Sequence, residues 1–597
     1  MVGLYQNAQE DMITGMIETD YSQLLYKRGY VLSEAKIVPV TGWQSRRVGS
    51  YHLCFDPDNH LAYAYANGEW IAILGNIIDT QYWLMDSQTI ANNCLASLAY
   101  SEDRLLDYID YLNGRFVLVY HHGGKTRFMT DAFGMRSAFY SLDEPVIVAS
   151  HCRIISDHLH SKQSETMAAI DKANPWRMLW ARGNPGVITP YDGVYLLTPN
   201  TCIDLEERRI CRFYPRNPLA QRSLKEVIDE IADTLQRQFI LLNRTRKLAV
   251  SLSAGLDSRT TLAAGRDIAS DLLFFTYSHG TALTPQELLS RAVERNELEQ
   301  FMDYLHEYLA ARERKTAIDL AVPCDIVTKL GLQHIIIEDV DVDQTEYRRF
   351  DSVLNQNSYH NHCRRLAFDY LRRMPPNMLH IRSNVYECTR ALHRRGNTET
   401  PMSAADMAEF WGNRNDSMAI ESFRRFIEIT NFKSILNYDS DDMFLWEHHD
   451  GAWATYIYLE SDVAFDTFQL CGSRALMDKV YSTPMECRIR SELGYQVIMR
   501  LWPLLLMWPM NQMPYAMQVK ALQDQVKELQ DQVKSLRDRV ASKTKDIKSL
   551  RQSTTYQVGL TLGNAVLKPG RNTVLLPWRL VGLYKNRRRR MGGTRAK

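Results

Sequence analysis

Lys247-Leu-Ala-Val-Ser-Leu-Ser-Ala-Gly-Leu-Asp-Ser258, continuing to Ala264, carries the most specific local signal in this chain. Leu248–Leu252 is a short apolar run of the kind that forms a buried parallel strand. Ser253, Gly255 and Ser258 then make a tight loop, and Thr260–Ala264 starts a helix. Upstream, Val227, Ile231, Leu235 and Phe239 recur at helical spacing. Downstream, Leu272-Leu-Phe-Phe-Thr-Tyr277 reads as the next strand. Strands alternating with helices predict a parallel α/β sheet.

A strand, a Ser/Gly loop and a helix N-terminus together suit an anion, because backbone N–H groups and the helix dipole favour negative charge there. Ser253 and Ser258 add hydroxyl donors, and Gly255 allows close backbone approach. Asp257 would repel a phosphate unless a cation intervenes, so its expected role is to hold Mg²⁺. The G-x-x-x-x-G-K-[ST] spacing of the kinase-type loop is missing.

Residues 1–160 read as mostly β, with runs such as Trp70–Leu74, Phe116–Tyr120 and Val146–Ser150 between polar turns, and a helical stretch near Ile90–Tyr111. Residues 281–315 are charged and read as an inserted surface helix or as a cap on the site. Further on, Val519, Val526, Val533, Val540 and Ile547 recur every seven residues. Leu522, Leu529, Leu536 and Leu550 take the second apolar position, and Lys543 breaks it. β-Branched residues at one position with Leu at the other predict a parallel two-stranded coiled coil.

The chain has 597 residues, 45% hydrophobic and 24% charged, with a net charge of +1. That balance is globular and argues against a polyelectrolyte. Charge is uneven, however: Arg551–Lys597 contains no Asp or Glu. Val574-Leu-Leu-Pro-Trp-Arg-Leu-Val-Gly-Leu-Tyr584 leads there into Arg587-Arg-Arg-Arg590, which suits an anionic membrane surface, a disordered basic tail or, third, RNA; nucleic acid is not favoured. Ten cysteines without a CxxC pair give no zinc site or disulfide framework. Neither a signal peptide nor a spanning segment is seen. The expected location is the cytoplasm, with peripheral contact at the inner face of the membrane as an option.

The loop is similar to the S-G-G-x-D-S region of asparagine synthetases and β-lactam synthetases. Leu112-Asn-Gly-Arg115, Thr130-Asp-Ala-Phe-Gly-Met-Arg136 and Val148-Ala-Ser-His151 resemble that family's N-terminal glutaminase-type domain. Phe275-Thr-Tyr277 resembles its second strand, and Ile318-Asp319 through His334 its following helix. Trp446-Glu447, Gly451, Trp453, Arg474 and Arg488 resemble the helical half of its synthetase domain. The resemblance implies an α+β Ntn-hydrolase-like sandwich over 1–215. It also implies an α/β PP-loop ATP pyrophosphatase domain (adenine nucleotide α-hydrolase-like) over 220–515. A coiled coil at 517–551 and a basic amphipathic tail at 552–597 follow. It further implies ATP and Mg²⁺ as cofactors, with Ser251, Ser253, Ala254, Gly255, Leu256, Asp257, Ser258, Tyr277, Arg382 and Ser383 at the nucleotide. Asp257 is the metal ligand, and Asp257 and Glu387 are catalytic. The activity implied is carboxylate adenylation followed by transfer of ammonia or an amine; the heptads at 517–551 separately predict a homodimer. A catalytically silent dimeric scaffold is the alternative.

The sequence departs from that pattern in four places. The glutaminase needs an N-terminal cysteine, yet residue 2 is Val2 and the first cysteine is Cys54, expected in the core. Glutamine hydrolysis is therefore expected to be lost. Ala254 replaces a glycine, which costs about 1 kcal/mol if the position needs a positive φ. The second phosphate loop is reduced to Arg382-Ser-Asn-Val-Tyr-Glu387, with Ser383 and Glu387 as stand-ins. Lys479 is the nearest match to the family's catalytic lysine. Tyr556–Gly563 and Leu576–Tyr584 are similar to tails on bacterial envelope-polysaccharide enzymes, which makes a uronic acid a candidate acceptor.

Overall fold

The computed structural model describes residues 19–173, 183–277, 318–338, 344–360, 363–391, 394–395, 400–412, 416–511 and 515–592. Met1, Val2 and the expected insertion 281–315 lie outside them. Met1–Gln512 is one compact unit and Met513–Lys597 a second. The regions expected as separate domains, 1–215 and 220–515, thus share one unit.

The first region contributes twelve strands among the described residues: β1 (Tyr30–Ser33), β2 (Gln44–Val48), β3 (Tyr51–Phe55), β4 (Leu61–Ala66), β5 (Glu69–Asp79), β6 (Leu112–His122), β7 (Lys125–Thr130), β8 (Phe139–Ser141), β9 (Ile147–Ala149), β10 (Tyr195–Leu196), β11 (Thr201–Asp204) and β12 (Arg209–Arg212). They form two antiparallel sheets, ordered β10-β8-β9-β1-β3-β2 and β12-β11-β7-β6-β5-β4. Tyr30, Leu32, Leu53 and Phe55 of one sheet pack against Trp70, Leu74, Val117, Val119 and Phe128 of the other. β6 is buried from Leu112 to Tyr120 because its opposite face is covered as well. There Ile71, Ile73 and Leu118 meet Ile90, Cys94 and Leu98 of the helix Ser87–Leu98. Asp86 caps that helix by accepting from the Thr89 N–H at 2.8 Å. The helix Cys152–Leu159 covers the other sheet through Ile154 and Ile155. The result is a helix–sheet–sheet–helix sandwich. Each fully buried apolar side chain contributes about 1.5–3 kcal/mol.

The second region holds β13 (Lys247–Ser251), β14 (Leu273–Tyr277), β15 (His334–Ile337), β16 (Met378–Arg382) and β17 (Asp466–Gln469), all parallel, ordered β15-β14-β13-β16-β17. Leu248 and Val250 face the helix Leu224–Asn243, which buries Val227, Ile231, Leu235 and Phe239. A capping box between Ser223 and Glu226 starts that helix. Ala249 faces the other way, toward Phe275, Tyr370 and Ile457. This two-sided burial is why the strand is continuously apolar.

The two regions are joined by buried charge. Arg115 on β6 binds Asp462 through both terminal nitrogens, one contact at 2.7 Å, and reaches Asp466 on β17 at 3.1 Å. Arg136 lies 3.4 Å from Asp466, and the Arg115 guanidinium sits over the Tyr458 ring. The neighbouring Asn113 donates to the Gln469 carbonyl at 2.9 Å. Gly114 between them has φ +145, and a Cβ there would lie 2.2 Å from the Asn76 carbonyl oxygen. Asn-Gly-Arg at 113–115 is thus a docking device: two polar side chains reach β17 and its flank, and the glycine lets β5 approach. Cys54 is buried on β3, as expected of a core residue.

The second unit is helical: Tyr515–Gln552, Thr554–Leu567, Arg571–Val574 and Leu576–Gly592. The first helix is 38 residues, about 57 Å. Val533, Leu536, Val540, Ile547 and Leu550 lie exposed along it. The tail expected from 552 onward is helical up to Gly592. Among the described residues no helix is long and apolar enough to cross a membrane.

Arg115→Met leaves the Asp462 and Asp466 carboxylates buried without that guanidinium. The expected loss is about 3–5 kcal/mol of unfolding free energy, read as a lower urea midpoint. Arg115→Lys should recover only part of it, because an ammonium cannot bind Asp462 with two parallel bonds.

Candidate functional site

The sheet order places the reversal of strand direction in the sequence at β13. The chain leaves β13 on one side toward β14 and β15, then returns on the other through β16 and β17. In open parallel sheets, ligands bind in the crevice beyond the carboxyl ends of strands at such a reversal. Here that crevice lies between the loop after β13, Leu252–Gly255, and the segment after β16, Ser383–Arg390.

The helix after β13 starts at Leu256, four residues before the expected Thr260, so Asp257 and Ser258 lie in its first turn. Gly255 is its N-cap and provides no side-chain cap. First-turn amides therefore face the loop, where an acceptor is favoured. The loop is held by its serines. Ser258 Oγ accepts from the Ser253 N–H at 3.1 Å and lies 3.0 Å from Ser253 Oγ. Ser253 Oγ accepts from the Gly255 N–H at 3.2 Å. Ala254 is not among the residues of positive φ, so the strain that a methyl would have caused there does not arise. Gly255 has φ −76, and an added Cβ would sit 3.3 Å from Ser253 Oγ; the glycine gives room rather than an unusual conformation. The Ala254 N–H donates to the Asp319 carboxylate at 3.1 Å, so the loop already holds an anionic oxygen. Asn511 donates to the same oxygen at 2.7 Å and through its N–H to the Ala254 carbonyl.

The other expected residues take different positions. Ser251 ends β13, with its hydroxyl 3.0 Å from Nε2 of His380, an imidazole that burial holds neutral. Leu256 is buried against Gly494. Tyr277 ends β14 and is exposed. Arg382 ends β16, its guanidinium over the Tyr458 ring at 5.7 Å. Ser383 donates to Thr261 Oγ1 at 2.8 Å, tying the segment after β16 to the loop helix. Lys479 is elsewhere: it pairs with Glu230 at 3.1 Å and lines an open cavity of about 1070 Å³ with Tyr82, Tyr100, Arg104 and Asp478. Glu447, Arg474 and Arg488 are also structural. Glu447 binds Arg212 with two bonds of 2.6 and 2.8 Å, Arg474 donates to Asn200, and Arg488 pairs with Asp442.

Asp257, the expected metal ligand, is engaged by an arginine. Its Oδ2 accepts from Arg390 Nη2 at 2.7 Å. Burial pushes its carboxyl up to about 7, with Arg390 pulling it down and the Glu387 and Asp450 carboxylates adding to the rise. Next to this pair is a set with metal-ligating chemistry: Glu387, His449 and Asp450 each bring one ligand atom within 4.8 Å of the others. His449 Nδ1 lies 3.0 Å from Asp450 Oδ1 and 4.0 Å from Glu387 Oε2. Two carboxylates with an imidazole suit a first-row transition ion better than Mg²⁺, which prefers oxygen alone. A π-helical turn, Leu445–Asp450, presents His449 and Asp450 there. Arg390, Asn511 and His449 do not stand out in the sequence, and Asp319 stands out there only as part of a helix. Their positions follow from distant chain segments meeting, although Glu387, Trp446-Glu447 and Gly451 are marked in the sequence.

Neither family models nor curated proteins match this chain. Solved structures similar to it include the allosteric regulatory enzyme of purine biosynthesis, 12% identical, over 44% of this chain and 61% of that one, with a TM-score of 0.19. Glutamine phosphoribosylpyrophosphate amidotransferase from B. subtilis, in complex with ADP and GMP, is 12% identical over 44% of this chain and 62% of that one, also with a TM-score of 0.19. The match spans less than two thirds of either chain, and likeness at this level carries no argument.

Gly494 approaches the loop helix closely: a Cβ there would lie 3.0 Å from a Leu256 methyl and 3.3 Å from Thr260 Oγ1. Gly494→Ala is expected to cost about 1–3 kcal/mol by overpacking the start of that helix. Thermal unfolding should show the loss, and Leu256→Ala in the same chain should partly relieve it.

Proposed function

We propose that this chain is an ATP-dependent, AMP-forming amide ligase of asparagine-synthetase type, without glutamine hydrolysis of its own. The observation that carries this reading is the Ser253–Ser258 loop. It lies at the strand-order reversal of a parallel sheet, opens onto an uncapped helix N-terminus, and faces a buried arginine. A carboxylate oxygen of the acceptor attacks the α-phosphorus of ATP, the bond to the β-phosphate oxygen breaks, and pyrophosphate leaves. Ammonia or an amine then attacks the acyl carbon of the adenylate; AMP leaves and the nitrogen loses a proton. Ser253, Ser258 and the first-turn amides bind the pyrophosphate, where fixed donors stabilise developing charge. ATP enters as its Mg²⁺ complex, with the metal on its phosphates. Mg²⁺ bound to Asp257 is not part of this reading, since Arg390 already engages that carboxylate. The sandwich serves as structural support for β17. By its resemblance to polysaccharide-enzyme tails, the C-terminal region favours a uronic acid of an envelope glycan as acceptor, at the inner face of a membrane.

A second reading, a catalytically silent scaffold, is favoured by the Arg390–Asp257 pair and by the remoteness of Lys479 from the loop. Pyrophosphate release by the purified full-length protein separates the two. Aspartate, uronic acids and ammonium would be screened with ATP and Mg²⁺. The ligase predicts release that needs a carboxylate and falls about a hundredfold or more in Asp257→Ala, the scale of loss for a displaced reacting group. No release with any acceptor, together with no ATP binding by calorimetry, leaves the scaffold.

Both readings include a parallel homodimer through 517–551. In the parallel arrangement the heptad sets Asp546 opposite Arg551 of the second copy. Light scattering is expected to give twice the chain mass for the wild type and the single-chain mass for Leu536→Asp.

A further inference from the structure

We infer that Cys202 and Cys211 are a thiol–disulfide couple: a peroxide oxidises Cys211, and Cys202 then closes a reversible disulfide across the β11–β12 pair. The couple lies in the sandwich and is independent of the Ser253–Ser258 loop.

The two cysteines form no CxxC spacing; the hairpin brings them together. β11 and β12 run antiparallel, with Cys202 directly opposite Cys211. Residues opposite one another on such strands have Cα atoms about 4.5–5.5 Å apart and project to the same face. A disulfide spans Cα separations of about 4.4–6.8 Å, so the strands already stand at bridging distance. Cys202 is fully buried, with Met129 of β7 opposite it on the other side. Cys211 belongs to the edge strand and is half-buried.

Three of the ten cysteines are half-buried: Cys211, Cys324 and Cys487. They differ in acidity. A hydrogen bond from the Cys202 thiol holds the Cys211 thiol below the usual range; Arg209 and Arg127 pull the same way, against burial and Asp204. Cys202, the donor, is raised by that bond and by burial. Burial raises Cys324, and a hydrogen bond to Glu492 raises Cys487. The thiolate is the reactive form. An accessible thiolate with a buried thiol opposite is the arrangement of an attacking and a resolving cysteine.

The Cys211 thiolate attacks one oxygen of hydrogen peroxide, the O–O bond breaks, and the departing hydroxide regains the proton that the thiol gave up, leaving as water. Cys202 then attacks the sulfur of the sulfenic acid. The S–S bond forms, the S–O bond breaks, and hydroxide takes the Cys202 proton to leave as a second water. Both sulfurs are oxidised and the peroxide is reduced. Arg212, next on β12, binds Glu447 in the turn Leu445–Asp450, so the disulfide would fix the strand by which the sandwich holds that turn.

The test treats the full-length protein with hydrogen peroxide at neutral pH, alkylates the remaining thiols and maps the peptides by mass spectrometry. The inference predicts one intramolecular disulfide between Cys202 and Cys211, reversed by dithiothreitol. It should form about tenfold faster or more than Cys324 or Cys487 is oxidised, since an ordinary thiol is only a few per cent thiolate at that pH. Cys202→Ala, with Cys202→Ser as the second variant should alanine disturb the core, should accumulate Cys211 sulfenic acid that dimedone traps. Cys211→Ser should leave Cys202 reduced. Oxidation of Cys211 that leaves Cys202 a free thiol overturns the inference, as does a disulfide from Cys211 to any other cysteine. So does oxidation of Cys324 or Cys487 as fast as that of Cys211, or a wild type in which both members of the couple stay reduced.

Discussion

A guanidinium buried between two sheets sets the rest of this structure. Arg115 comes from the central strand of the antiparallel sandwich, and its carboxylates, Asp462 and Asp466, lie just before and on the edge strand of the parallel sheet. Ion pairs of this kind do little for net stability when compared with well-packed apolar residues, but they tolerate no misplacement, since either charge alone is costly. The sandwich is therefore held to β17 in one register. β17 pairs with β16, and β16 pairs with β13. The position of the Ser253–Ser258 loop after β13 and of the Ser383–Arg390 segment after β16 thus follows from a contact in another part of the sheet. In this arrangement the sandwich is the part that fixes one edge of the parallel sheet.

The crevice itself is a balance of charge at close range. Asp257, Glu387 and Asp450 gather on one side of the loop, and Arg390 is set among them. Backbone cost collects in the same place: left-handed Val385 and Ala391, and the π-helical turn that carries His449 and Asp450. Strained backbone of this kind is found preferentially at working sites, where the surrounding packing holds it. Packing holds it here as well: Cys388, Thr389 and Tyr386 are buried around the turn, and Arg259 ties the loop helix to the carbonyls of Leu505, Trp508 and Pro509.

Much of this fold is legible in the order of residues, because its signals are local. The run Leu248–Leu252, the helix marked by Val227, Ile231, Leu235 and Phe239, and the alternation of sandwich strands all depend on burial periodicity, and all occur where that periodicity places them. The start of the loop helix is misread by four residues, since Gly255 gives no side-chain cap to mark it. The site is only half legible. Ser253, Asp257 and Ser258 lie in one short stretch and stand out. Arg390, His449 and Asp319 become partners only once strands distant in the chain are neighbours, and no spacing rule links residue 257 to residue 390. Asn113, Gly114 and Arg115 are visible as a motif, but their use as a docking device needs β17 to be in place. The heptads at 519–550 show the opposite case. There the pattern is strong and local, and Val533, Leu536, Val540, Ile547 and Leu550 lie exposed along one helix.

Hydrogen–deuterium exchange of the full-length protein with and without ATP tests the central claim most directly, since it locates the ligand without requiring turnover or a known acceptor. The account predicts that ATP slows exchange in two peptides, one covering residues 252–260 and one covering 383–391, which meet only across the crevice. Slowed exchange elsewhere with both of these unchanged, or no change anywhere under saturating ATP, would contradict it.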